Sequence, residues 1–246
     1  RSYLIHVPDG YNGEAGLPLV INLHGFGSNA TEQLIYSRFN TFADLNNFIV
    51  VYPMGVEATI PIGTGNHWNA GFETGVDDIG FINRIIDLIW NEYQVNLSKV
   101  YATGMSNGGF MSYTLACELS DRIAAVASVT GSMTILQEQS CTGEYIVPVM
   151  QFHGTLDPVV PFEGRAGQYP SIPDLMDFWA ERHGCLTETI EENLPDERES
   201  DGSTVTLVTY KECEDVILYR INDGGHTWPG GAVDLPEAGN TNRDII

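Results

Sequence analysis

The chain has 246 residues, with 33 Asp and Glu against 11 Lys and Arg and a formal net charge of −22, which argues against a nucleic-acid partner because phosphate recognition needs clustered bases. Hydrophobic residues at 43% and charged residues at 18% exclude a disordered or fibrous chain. No apolar run approaches the ~18 to 20 residues of a membrane span, so no membrane association is expected.

In chain order, a strand is predicted over residues 3–7 and another over Leu19–Leu23, followed by a helical stretch, 31–46, with a break. A strand at 48–52 precedes a helix at 79–93, where Ile79, Ile82, Ile85, Ile86 and Ile89 recur at helical spacing behind Asp78 as N-cap. A strand at 100–103 leads to a helix at 108–119, then strands at 124–129 and 149–152 and a helix at 172–183. Thr204–Tyr210 and 216–221 read as a late pair of strands. This alternation builds an α/β fold, and the continuously apolar strands suit a parallel sheet covered on both faces. No linker divides the chain, so one domain over residues 1–246 is expected. Residues 188–201, with seven acids and Arg198 as the one base, read as a solvated loop.

Gly104-Met105-Ser106-Asn107-Gly108-Gly109 lies between the strand at 100–103 and the following helix. That is the strand, tight turn, helix setting of a nucleophile elbow, with glycines leaving room for a strained turn that lifts the Ser106 hydroxyl into solvent. A serine hydroxyl is a weak nucleophile and needs a base oriented by a carboxylate. Asp157 follows the strand at 149–152, where parallel sheets place their sites, and His226 lies in the glycine-rich stretch 224–231. The order Ser, Asp, His is that of the α/β-hydrolases. His24 and His153, each before a glycine at a strand end, read as structural.

The oxyanion of such a reaction needs preorganised N–H donors. One is expected from Asn107, directly after the nucleophile, and the other from His24-Gly25-Phe26-Gly27, with Phe26 preferred and Gly25 the alternate. No metal or organic cofactor is required. Four cysteines, Cys117, Cys141, Cys185 and Cys213, allow three disulfide connectivities or four free thiols.

The motifs LHGFGSN (23–29), WNAGFETGVDDIGF (68–81), GMSNGGFMS (104–112), FHGTLDPVVPF (152–162) and GGHTWPGG (224–231) together resemble the secreted polyhydroxybutyrate depolymerase and feruloyl esterase group of α/β-hydrolases, similar to carbohydrate esterase family 1. The resemblance covers nearly the whole chain. It implies Ser106 as nucleophile, Asp157 as orienting acid and His226 as base, on a mostly parallel twisted sheet of about eight strands, and the short connection from Asp157 to Ile172 leaves no room for a large lid. It also implies disulfides Cys117 to Cys141 and Cys185 to Cys213, hence export, and a Trp68 that borders the substrate pocket. Trp228 reads as structural. Two departures stand out: residues 70–75 lack a cysteine found in many relatives, which would leave that loop more mobile, and the last helix of similar proteins is missing after Ile246.

The expected partner is a small or polymeric ester met by a monomeric enzyme that forms an acyl-enzyme. The candidates are short-chain, feruloyl or acetyl esters and polyhydroxyalkanoate. Alternatives are a polymer-binding module that keeps the fold without turnover, or a peptidase or thioesterase using the same triad. Ten acids lie between residues 188 and 215, away from the motif loops. They suit a solvated exterior and disfavour polyanionic substrates.

Overall fold

Strands rich in apolar residues on both faces need cover on both sides, and six strands form the parallel centre of a nine-stranded sheet in the computed structural model, which describes residues 1–13, 15–60, 63–71, 74–231 and 236–244. The chain begins with β1 (Tyr3–His6), β2 (Leu19–Leu23), α1 (Ala30–Ser37), α2 (Phe39–Asn46) and β3 (Ile49–Pro53). A separate hairpin, β4 (Val56–Ile60) and β5 (Gly63–His67), precedes α3 (Asp78–Tyr93), β6 (Val100–Met105), α4 (Asn107–Glu118) and β7 (Ala125–Val129). Then come α5 (Ile135–Ser140), β8 (Val149–Gly154), α6 (Ile172–Arg182), β9 (Thr189–Asn193), β10 (Thr204–Tyr210) and β11 (Cys213–Asn222). The sheet order is β1-β3-β2-β6-β7-β8-β11-β10-β9. Pairings from β3 through β11 are parallel, and the outermost pairs are antiparallel.

The two-residue periodicity of a strand divides its side chains between the sheet faces. Leu19, Ile21, Leu23, Ile49 and Val51 join the main core with Ile82, Ile85, Ile86 and Ile89 of α3. Val50 and Tyr52 pack instead with Ala30 and Ala43 of α1 and α2. Those two helices cover only part of their face. Farther along it, Tyr101, Ala127, Met150, Phe152 and Ile217 help to line an apolar groove of about 540 Å³.

Several local expectations change. The break in the first helical stretch is Arg38, in the left-handed region at φ 57°. Asp77, not Asp78, caps α3 by accepting the Gly80 N–H at 2.7 Å. Asp78 is buried, where it pairs with Arg1 at 2.5 Å and accepts the Asn69 N–H at 2.6 Å. The stretch read as a solvated loop contains β9, an edge strand with all five residues exposed. Its acids still face water, and charge along an edge discourages pairing with another chain. The β4–β5 hairpin and α5 are additions to the expected elements.

Both implied disulfides are present. Cys117 near the end of α4 joins Cys141, just after α5, and Cys185 after α6 joins Cys213 at the start of β11. The loops closed span 24 and 28 positions, for which the chain-entropy relation gives about 3 kcal/mol each. Residues 158–171 contain no helix, so no helical lid follows Asp157. Phe72 and Glu73 of the cysteine-free stretch, and Ile245 and Ile246 at the end, lie outside the described residues.

Candidate active site

β6 ends at Met105 and α4 begins at Asn107, leaving Ser106 alone to turn the chain. It does so at φ 55°, ψ −118°, a conformation that costs a non-glycine residue about 1–3 kcal/mol and persists only where its surroundings enforce it. The Ser106 N–H donates to the Val129 carbonyl at 2.8 Å, and the Ser106 carbonyl accepts the Phe110 N–H at 3.0 Å. The flanking glycines act through close approach rather than through their own φ. A Cβ on Gly104 would lie 2.6 Å from the Gly108 backbone, and one on Gly108 would overlap the Leu23 carbonyl oxygen.

Asp157 follows β8 and is buried. Its Oδ1 accepts the N–H groups of Val159 and Val160, both at 2.8 Å, and its Oδ2 lies 2.7 Å from His226 Nδ1. An ionised carboxylate can only accept, so Nδ1 carries the proton and Nε2 offers a lone pair. The His226 loop is seated on the Asp157 loop by the Leu156 N–H, which donates to Gly224 O at 2.9 Å. Gly154 is required there, since a Cβ would overlap the Gly224 backbone.

Behind the carboxylate lies a buried polar chain. Tyr113 Oη donates to Gln151 Oε1 at 2.8 Å, and Gln151 Nε2 donates to Gly131 O at 2.9 Å and to His153 Nδ1 at 2.8 Å. The Gly131 carbonyl fixes which way the amide points, which makes His153 Nδ1 an acceptor and Nε2 the protonated nitrogen. That Nε2–H donates to Val160 O at 2.8 Å and stands 3.4 Å from Asp157 Oδ2.

Burial pushes His153 down to about 4, against the partial pull of Asp157. Between pH 6.5 and about 4, the unfolded chain therefore binds a proton that the folded chain refuses. The stability contributed by neutral His153 is complete above pH 6.5 and falls as the pH drops toward 4. The total is on the order of 3 kcal/mol. Burial lowers His24 in the same direction. Urea unfolding is expected to show a midpoint that declines across this window, with a shallower decline in His153→Gln. Equal slopes in the two proteins would refute the assignment.

The segment 24–27 follows β2 and meets the elbow, where a Cβ on Gly25 would sit 3.5 Å from Ser106 Cβ. The hairpin supports it: the Gly27 N–H donates to Asn66 O at 2.8 Å and Asn66 Nδ2 donates to Ser28 O at 3.0 Å. Ser106, His226, Gly25, Phe26 and Met105 share a cleft of about 410 Å³ with Ser28, Glu32, Gln33, Ile35 and Tyr36. The last four come from α1, and no sequence motif pointed to them. Tyr36 is tied to the histidine loop, because its hydroxyl accepts the Trp228 N–H at 3.1 Å. Trp228 itself packs edge-on against Phe39.

Trp68 does not border this cleft as expected. It is fully buried at 0% exposure, with its indole N–H donating to His24 O at 2.9 Å and its ring 5.0 Å from the His24 ring. A buried indole N–H needs an acceptor, and here that acceptor lies in the protein interior. His24 and His153 are both buried and hydrogen-bonded to backbone, in keeping with structural roles. Among the described residues no group of three or more His, Cys, Asp or Glu side chains converges to hold a metal ion, and no helix is long and apolar enough to cross a membrane.

Residues 12–182 match the family model described as phospholipase/carboxylesterase. Feruloyl esterase B of Piromyces equi is 28% identical over 92% of this chain and 42% of its own length. The bifunctional acetylxylan esterase/xylanase XynS20E of Neocallimastix patriciarum is 27% identical over 88% of this chain and 29% of its own. The chain thus spans less than half the length of both these relatives. The solved acetyl xylan esterase from Aspergillus awamori superposes with a TM-score of 0.69 at 15% identity, over 92% of this chain and 88% of that one, which is a likeness of fold. With the match covering well over half of its residues, the chain belongs to the phospholipase/carboxylesterase family of α/β-hydrolases, enzymes that hydrolyse carboxylic esters.

Proposed function

We propose that the chain is an exported serine esterase that works through an acyl-enzyme. Ser106 Oγ attacks the ester carbonyl carbon and gives its proton to His226 Nε2, while Asp157 holds the resulting imidazolium through Nδ1–H. The tetrahedral oxygen carries the negative charge and is met by the N–H of Asn107 and an N–H of the 24–27 segment, Phe26 first and Gly25 as alternate. As the C–O bond breaks, His226 returns the proton to the leaving alcohol. Water then attacks the acyl-enzyme with His226 again as base, which releases the acid and restores Ser106.

One observation carries this reading: a serine in a strained elbow shares a cleft with a histidine whose other nitrogen is bonded to a buried carboxylate. The two disulfides suit an oxidising compartment. The cleft, with Phe26, Ile35, Tyr36 and Met105 as its larger apolar walls, suits a compact acyl group such as acetyl, short-chain or feruloyl. The names of the Piromyces and Neocallimastix relatives support plant-polysaccharide esters over polyhydroxyalkanoate.

The test is a rate panel of methyl ferulate, acetylated xylan and hydroxybutyrate oligomers, together with labelling by a fluorophosphonate probe. Labelling at Ser106 with turnover of the first two is expected. Binding to xylan with neither labelling nor turnover would overturn the proposal in favour of a binding module.

A further inference from the structure

Two backbone N–H groups can stabilise one oxygen only if the segments carrying them are held at a fixed separation. In this chain the two proposed donor segments are far apart in sequence, after β2 and at the start of α4; β2 and β6 pair as far as Leu23 and Gly104, but beyond those strand ends no backbone hydrogen bond joins Asn107 to the 24–27 segment. Trp68, from neither segment, touches both.

The Asn107 side chain is buried, and both of its polar atoms are satisfied by the peptide groups of Trp68. Oδ1 accepts the Trp68 N–H at 2.6 Å and Nδ2 donates to Trp68 O at 3.1 Å. A peptide N–H only donates and a carbonyl only accepts, so the amide has one orientation. The Trp68 indole then donates to His24 O at 2.9 Å, one residue before Gly25. His24 is itself fixed, with Nδ1–H donating to Gly25 O at 2.8 Å and Nε2 accepting the Gly55 N–H at 3.0 Å. The next residue, Asn69, is anchored through its N–H to buried Asp78.

Resting on the oxyanion roles proposed above, we infer that Trp68 is a positioning residue that sets the separation of the two oxyanion donors, clamping Asn107 with its backbone and His24 with its indole. Being wholly buried, it meets no substrate. Its effect belongs to the tetrahedral state, where both donors must converge, and not to ground-state binding.

The test is Trp68→Phe, which keeps most of the ring volume and removes the indole N–H, and Asn107→Ala, which removes the other end of the clamp. Each is expected to lower kcat about tenfold while KM stays within about twofold, because small displacements of preorganised groups act on the transition state. Affinity for a trifluoromethyl ketone, which mimics the tetrahedral oxyanion, should fall by the same factor. The double variant should be little worse than either single one, since both break one brace. Tyr52→Phe removes a different, half-buried hydrogen bond, to Asn40, and should leave kcat and ketone affinity unchanged.

Unchanged kcat and ketone affinity in Trp68→Phe would overturn the inference, as would a loss confined to KM. If Trp68→Phe does not fold, Asn107→Ala decides by the same two readouts. A wild-type enzyme that the fluorophosphonate fails to label would instead remove the esterase reading itself, an outcome distinct from a labelled enzyme indifferent to Trp68.

Discussion

Ser106→Ala is expected to lower kcat/KM toward p-nitrophenyl acetate and butyrate by about 10⁴-fold or more, which is the scale on which serine hydrolases lose activity with their nucleophile. The substitution removes one oxygen atom and leaves the elbow otherwise occupied by a residue of similar size. The backbone bonds from Ser106 N–H to Val129 O and from Phe110 N–H to Ser106 O do not involve the hydroxyl. Stability should therefore change little, or rise if alanine relaxes the strained position. A folded variant with a wild-type rate would show that the ester is attacked elsewhere.

Asp157→Asn should cost about 10⁴-fold in kcat, the scale seen when the histidine of a serine triad is held in the wrong tautomer. The reason lies in the partners of the carboxylate. Oδ1 receives two backbone N–H groups, from Val159 and Val160, and an amide NH2 cannot stand there. The asparagine must keep its oxygen toward those donors and turn its NH2 toward His226 Nδ1. That nitrogen then becomes an acceptor, the ring proton moves to Nε2, and His226 can no longer take the proton of Ser106. The fold should survive, because both backbone bonds persist. Activity within about tenfold of wild type would mean that the two N–H groups do not control the amide.

Much of this site is legible in the sequence alone. Ser106 stands in a short glycine-bounded segment between an apolar strand and an apolar helix, and that local context defines an elbow. Asp157 and His226 follow in the order the chemistry needs, and the structure brings their side chains to 2.7 Å. Side-chain periodicity is a local property, so the apolar strands β1, β2, β3, β6, β7, β8 and β10 lie within two residues of their expected ends, whereas β11 begins at Cys213, three residues before the expected 216, where charged Glu214 and Asp215 interrupt the apolar run. In the β4–β5 hairpin only β4 alternates, over the five residues Val56–Ile60, while glycine and polar residues through Gly63–His67 leave its partner no pattern that would mark a pair of strands. β9 was missed because all its side chains face water, so only hydrogen bonding to β10 makes it a strand.

Trp68 marks the boundary of what a motif can convey. Its place in a motif signalled importance near the site, but whether an indole faces substrate or interior depends on which acceptor is within reach. Here the acceptor is the carbonyl of His24, 44 positions away. The α1 residues along the cleft and the link from Tyr36 to the Trp228 backbone likewise come from segments with no motif in common.

The sequence by itself determined the kinds of groups available, their order along the chain, and the strands and helices whose ends present them, because hydrophobic periodicity and turn chemistry act over a few residues. Only the tertiary structure decided which atoms meet. It seated Asp157 on two N–H donors, held His153 neutral behind it and turned Trp68 inward between Asn107 and His24. It also left the groove beside α1 and α2 half-covered. Those outcomes depend on burial and on hydrogen bonds between residues tens of positions apart, and a buried polar group takes whichever partner the packed fold brings within about 3 Å.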